Sequence, residues 1–207
     1  MKMKKKLIAL SILAASVVSA SSMAAVTTGQ LTFNWQGVIP TSPVVSSAWA
    51  FVDGLDNVFI PGTEQLRVNL DDKGDMTAVS VQPYDFFIVP VVASATSGHI
   101  DRDAVKTFAT NGIKAYLGTN PVSNGFNGDK QLTLATKALA DASQVAITLN
   151  GTPLVVGSSG AIDVGMDTAK KEAHVSIELN TKVEKADITE GGSISFTAPV
   201  IFAADIV

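Results

Sequence analysis

Across residues 194–206 every second position is apolar: Ile194, Phe196, Ala198, Val200, Phe202, Ala204 and Ile206 alternate with Ser195, Thr197, Pro199, Ile201, Ala203 and Asp205. Successive side chains of an extended chain point to opposite faces, so a period of two gathers these apolar groups on one side of a strand. A helix would need apolar residues every three to four positions. The stretch is therefore expected to form one long strand with one buried face, running to the end of the chain. If exposed, such a strand invites association, because its backbone edge and its apolar face are both available. The pattern alone fits the ordinary last strand of a complete β-sandwich equally well.

The same alternation recurs upstream. It places Leu31, Phe33 and Trp35 on one face over residues 30–36, and Leu66, Val68 and Leu70 over 64–70. It places Val145, Ile147 and Leu149 together over 144–150, and Val175, Ile177 and Leu179 over 173–180. Residues 84–92 are almost continuously apolar, as in a strand buried on both faces or folded under a loop. Turn chemistry separates these runs: Ile60-Pro61-Gly62, Asp72-Lys73-Gly74-Asp75, Asn124-Gly125, Asn127-Gly128-Asp129 and Gly157-Ser158-Ser159-Gly160. Asn150-Gly151 between two apolar runs is the clearest hairpin signal. Only residues 101–110 and 134–142 suggest short helices. Many short strands at this spacing predict an all-β sandwich, and no repeat, linker or charge run divides it.

The first 24 residues have the three parts of a secretory signal. Lys2, Lys4, Lys5 and Lys6 precede an apolar stretch over residues 7–20, and Ser22-Met23-Ala24 supplies small residues before a cut. A retained membrane anchor would need about 20 apolar residues, and this stretch is shorter. Cleavage after Ala24 leaves residues 25–207, a single domain-sized unit. The leader holds four of the chain's 15 basic residues and none of its 19 acidic ones, so the remainder carries a net charge of about −8. That balance argues against nucleic acid and anionic membrane as partners, since both require a basic footprint. The chain contains no cysteine. An exported protein without disulfides must draw its stability from packing or from a partner chain, and thiolate metal sites and thiol catalysis are excluded.

No catalytic or metal constellation emerges. His99 and His174 would have to meet a carboxylate to hold a metal, and each reads better as a surface residue. Asp71, Asp72 and Asp75 around Gly74 lack the full calcium-loop ligand set, so a charged hairpin turn is expected there. The serines of residues 157–160 lack the final glycine of a nucleophile elbow. Asn150-Gly151-Thr152 fits a glycosylation sequon but reads as a turn. Trp35 and Trp49 could stack on a sugar, yet aromatics in alternating strands are more often packed. Trp49, with Phe51 on the same face, is assigned to packing.

Gly29-Gln30-Leu31-Thr32-Phe33-Asn34-Trp35-Gln36-Gly37-Val38-Ile39 resembles the N-terminal extension of chaperone–usher fimbrial subunits, which reads as glycine, alternating apolar residues, glycine and apolar again. Thr41-Ser42-Pro43-Val44, Trp49, Gly54-Leu55-Asp56-Asn57 and the terminal strand containing Ala198-Pro199 are similar to the cysteine-free adhesive major-subunit branch of that family. The chain departs from the wider family in two ways. It ends Asp205-Ile206-Val207, where many members carry a tyrosine next to last, and it lacks their disulfide.

The resemblance implies an immunoglobulin-like Greek-key sandwich that is incomplete and is completed by a donor strand from a neighbouring subunit. It implies three parts: a signal peptide (1–24), an N-terminal donor-strand extension (25–39) and a pilin domain (40–207). Leu31, Phe33 and Trp35 become the donor residues. Phe196, Val200, Phe202 and Ile206 become the acceptor and chaperone-pairing residues. The implied partners are copies of the chain or other fimbrial subunits, a periplasmic chaperone, an outer-membrane usher and a host glycan or glycoprotein. The implied location is a fimbrium reached through the periplasm, with no cofactor, metal or catalytic residue. The alternative is a complete secreted or periplasmic β-sandwich binding carbohydrate or calcium. It predicts a stable monomer, whereas the fimbrial reading predicts a subunit that needs a chaperone or donor peptide.

Overall fold

The computed structural model describes residues 49–90 and 110–206. The expected signal peptide, the donor extension, His99 and all of the expected helix over 101–110 except Thr110 lie outside these residues. The chain builds strands β1 (Trp49–Val52), β2 (Leu66–Leu70), β3 (Met76–Ser80), β4 (Tyr84–Pro90) and β5 (Thr110–Leu117). There follow β6 (Val122–Asn124), β7 (Thr133–Leu134), β8 (Gln144–Leu149), β9 (Thr152–Pro153) and β10 (Ile162–Val164). The series ends with β11 (Ala173–Val183), β12 (Ser195–Thr197) and β13 (Val200–Ile206). Helix among the described residues is limited to three short 3₁₀ turns, none long and apolar enough to cross a membrane.

β11 is the spine of the first sheet. Ile177 faces Tyr84 of β4 on one side and Leu149 of β8 on the other, and Asn180 likewise lies between Val79 of β3 and Ala146 of β8. β3 and β4 therefore lie end to end along one flank of β11, broken where Pro83 cannot donate to the ladder. β1 and β2 repeat that arrangement one strand further out, pairing with β4 and β3. The second sheet has the order β10-β5-β13, all antiparallel. β6 and β12 continue the β5–β13 ladder as a separate pair. Reading β1/β2 and β3/β4 as the first two strands, the first sheet runs first, second, fifth, fourth. The second sheet holds the third and sixth, which is the distribution of an immunoglobulin-like Greek-key sandwich.

Alternation explains the core between the sheets. Phe86, Ile88, Val175 and Leu149 point inward from one sheet and Ile113, Ala115, Leu117 and Val164 from the other, all buried in one cluster. Each large apolar side chain so buried is worth roughly 1.5–3 kcal/mol. The continuous apolar run of β4 is explained too. Its outward-facing Val89 is buried with Ala50 and Val52 in a second small cluster, with Val58 and Phe87 packed against it, so the strand is buried on both faces. At the expected hairpin, Asn150 and Gly151 both adopt positive φ (50° and 79°) and join β8 to β9.

Three expectations are corrected. Residues 134–142 are not helical. Leu134 pairs in β7, and the following segment lies across β8, where the Asn180 side chain accepts the Ala140 N–H (2.8 Å) and donates to the Ala138 carbonyl (2.6 Å). That cover is why Val145–Leu149 of β8 are all buried. The terminal run is not one strand but β12 and β13, split at Ala198-Pro199, because Pro199 has no N–H to give and the halves pair with different neighbours. On β2, Val68 and Leu70 face the same side as the buried Ala78 and Met76, yet stay 46% and 57% exposed at the sheet edge.

The β2–β3 hairpin turns through Asp71, whose carboxylate accepts the N–H groups of Lys73 and Asp75, both at 2.9 Å. These bonds, that from Asp75 foremost, hold the Asp71 carboxyl below its ordinary value of 3.8. A depressed folded value means the stabilisation is fully present above the unfolded value and is lost as pH falls through the folded one. Urea midpoints measured between neutral pH and pH 2 should therefore fall less steeply for Asp71→Asn than for the parent. In the core, Leu117→Ala removes a fully buried side chain at the centre of the second sheet. It should lower unfolding stability by about 2–5 kcal/mol in the same titration.

Candidate assembly site: an open sheet edge

β13 pairs with β5 on one side only, from Val200 opposite Leu117 to Ile206 opposite Thr110. Among the described residues no strand pairs with its other side, so β13 is the terminal strand of the second sheet. In a seven-stranded sandwich that vacant flank is where the last strand lies. Val200 and Phe202 lie opposite the buried Leu117 and Ala115 and so face the core, whereas Ile201 and Ala203 face outward.

The expected acceptor residues fall as follows. Val200 and Phe202 are half-buried on the inner face of β13 and pack against the core. Phe196 does the same from β12, its ring centroid 5.9 Å from that of Phe126. Ile206 is the last residue of β13, beyond a register shift between Asp205 and Ile206. The expected donor residues Leu31, Phe33 and Trp35 lie outside the described residues.

An aromatic set spans the two sheets beside this open edge. Phe202 of β13 meets Phe51 of β1 edge-on at 5.2 Å and Phe86 of β4 at 5.9 Å, while Phe51 meets Phe86 at 5.6 Å. Trp49 lies edge-on to Phe51 at 5.0 Å, and Phe59 stacks on Phe86 at 4.5 Å. Trp49, Phe51, Phe59 and Phe202 are all half-buried, so the set forms a firm apolar floor that is open on one side. Trp49 and Phe51 thus pack as the sequence suggested. Sequence reasoning did not single out Phe59 and Phe86. Phe86 lies within the apolar run of 84–92, but Phe59 follows a turn and belongs to no periodic pattern.

The remaining candidate chemistry resolves into structure. His174 is exposed on β11, pairs with the Asp85 carboxylate and lies 5.1 Å from the Phe87 ring. Asp71 and its neighbours form the hairpin turn, where Asp75 also accepts the Lys185 N–H at 3.0 Å. No group of three or more His, Cys, Asp or Glu among the described residues is arranged to hold a metal.

No family model matches the chain. A CS5 fimbrial subunit of Escherichia coli is 55% identical to it over 205 residues, covering 99% of this chain and 100% of that protein. An identity of that level over almost the whole length joins an immunoglobulin-like sandwich, with one edge uncovered among the described residues, to a fimbrial subunit. The chain belongs to the family of bacterial fimbrial subunits and is a structural subunit of a fimbria.

Proposed function

We propose that the chain polymerises by donor-strand exchange, with Leu31, Phe33 and Trp35 of one copy laid along the open edge of β13 in the next. The observation that carries this reading is that, among the described residues, one flank of β13 is unpaired above a half-buried aromatic floor. An added strand gains main-chain hydrogen bonds along the edge, while alternate side chains enter the apolar sites beneath it. Residues 31, 33 and 35 have the matching period of two, and burying three such side chains is worth roughly 1.5–3 kcal/mol each.

On this reading a periplasmic chaperone covers the same edge before assembly, pairing along Phe196, Val200, Phe202 and Ile206. An outer-membrane usher then exchanges the chaperone for the next subunit. The exported fibre stands at the cell surface and carries the contact with a host glycan or glycoprotein, so the chain serves adhesion and no catalytic step. The family membership supports assembly with other subunits. The alternative of a complete sugar- or calcium-binding sandwich has no supporting feature among the described residues.

Co-expression with a fimbrial chaperone and usher tests the proposal. The parent should give SDS-resistant ladders and visible fibres. Phe33→Asp should abolish both while the chaperone–subunit complex is still recovered, since a carboxylate cannot enter an apolar site cheaply. Fibres persisting in Phe33→Asp would overturn the donor assignment.

A further inference from the structure

We propose that the outer face of the second sheet is a contact surface between folded bodies of neighbouring copies in the fibre. Its partner is a second copy of this chain, and the proposal rests on the donor-strand reading above.

The two outer faces of the sandwich differ in chemistry. The first sheet presents exposed Arg67, Asp85, Glu178 and Lys182. On the second sheet Tyr116 is cross-strand to Ile201, on the β6–β12 pair that continues it Val122 is cross-strand to Thr197, and between them Gly118 donates its N–H to the Pro199 carbonyl at 2.9 Å. With Ala203 beyond Ile201, these residues make an uncharged strip along the β5–β6 and β12–β13 ladders. Charge returns at one end, where Lys114 lies cross-strand from both Asp163 and Ala203, and Asp205 follows two positions on in β13. Val122 is 48% exposed and Ile201 39% exposed, both pointing away from the core.

Charge favours a copy of the chain as the occupant of this face. Residues 25–207 are net acidic, so folded copies repel one another overall at separations within about 8 Å, the screening length at physiological salt. An uncharged face is where that repulsion is least and where burying apolar groups gains most.

Chain length favours the same occupant. Residues 36–48 link the donor segment to β1 and span at most about 45 Å when extended. A neighbour whose donor strand lies on β13 is therefore held within reach of the outer face of that same strand. Its effective concentration is on the order of millimolar, enough to occupy a contact that free subunits would make too weakly to detect.

The chain has no cysteine, so a single introduced thiol reports on one position without background. Val122→Cys places it in the strip, and Thr77→Cys places it on the exposed outer face of the first sheet. Maleimide labelling rates should be compared between the chaperone-bound subunit and assembled fibres. The Val122→Cys thiol should label at least tenfold more slowly in fibres, while the Thr77→Cys thiol labels at similar rates in both. Thr197→Cys, across the ladder from Val122, provides a second position if the first variant is not recovered with the chaperone. Equal labelling of the strip in both states would overturn the contact surface while leaving donor-strand exchange intact. Failure of the parent to form an SDS-resistant ladder would overturn donor-strand exchange and the contact surface together.

Discussion

Among the described residues one flank of β13 is shared with no other strand, and the rest of the fold depends on that constraint. Every strand residue offers an N–H and a C=O, and β5 answers only those on one side. Water can satisfy exposed backbone groups, but it cannot cover the apolar side chains that face inward along the same strand. The second sheet therefore has two full strands and the three-residue β10 set against a much wider first sheet. That imbalance leaves Trp49, Phe51, Phe59 and Phe202 half-buried and Val68 and Leu70 uncovered. An exposed edge of this kind is normally blunted by charge, proline or a covering loop. Here Pro199 interrupts the run only between β12 and β13, and no described residue pairs along the edge beyond it.

Without a disulfide, the connections between strands are held by polar side chains. The Asn127 amide donates to the carbonyls of Ala186 (3.0 Å) and Ile188 (2.9 Å). Lys130 pairs with Asp187 and donates to the Ser143 hydroxyl at 3.2 Å. These contacts tie the loop after β6 to the turn after β11, from which the terminal run departs. Gly125 allows a close approach in the same region: a Cβ there would lie 2.0 Å from the Ser193 carbonyl oxygen, and its φ of 91° suits glycine. Tyr84 plays a comparable part at the other end, donating its hydroxyl to the Gly62 carbonyl at 2.7 Å and so holding the loop between β1 and β2. No fully buried side-chain nitrogen or oxygen among the described residues lacks a hydrogen-bond partner. Exposed ion pairs contribute little individually, so cohesion rests on the core and these satisfied loops.

Period-two alternation made the fold class legible because it reports which face of a strand is buried. It located β8 and β11, its absence from the apolar run over residues 84–92 pointed to the both-sided burial of β4, and the Asn150-Gly151 dipeptide located a hairpin through its tolerance of positive φ. What alternation cannot report is whether anything covers the face it identifies. Val68 and Leu70 alternate as well as Val145 and Ile147 do, but β2 lies at an edge with no described strand across from it. The apparent helix over residues 134–142 failed for the opposite reason. Its composition permits a helix, but Asn180, some forty residues later in the chain, engages its backbone and holds it across β8. Half of the proposed acceptor surface was visible as the alternating terminal run. The other half, built from Phe51, Phe59 and Phe86, depends on strands meeting across the sandwich, and no local pattern encodes that meeting.

Strand addition and body contact solve different problems. A strand laid on β13 would join two copies tightly, because hydrogen bonds and apolar side chains act together along its length. A flexible linker joins two bodies without orienting them, since such a chain can take many directions. A fibre with defined geometry needs a second, weaker contact that selects one of those directions. Such a contact need not be strong, because the tether has already removed most of the entropic cost of bringing the bodies together. An uncharged strip on the outer face of β13, the proposed acceptor strand, would meet these requirements. It is close enough to be reached, apolar enough to be worth covering, and free of the charges that would drive acidic copies apart.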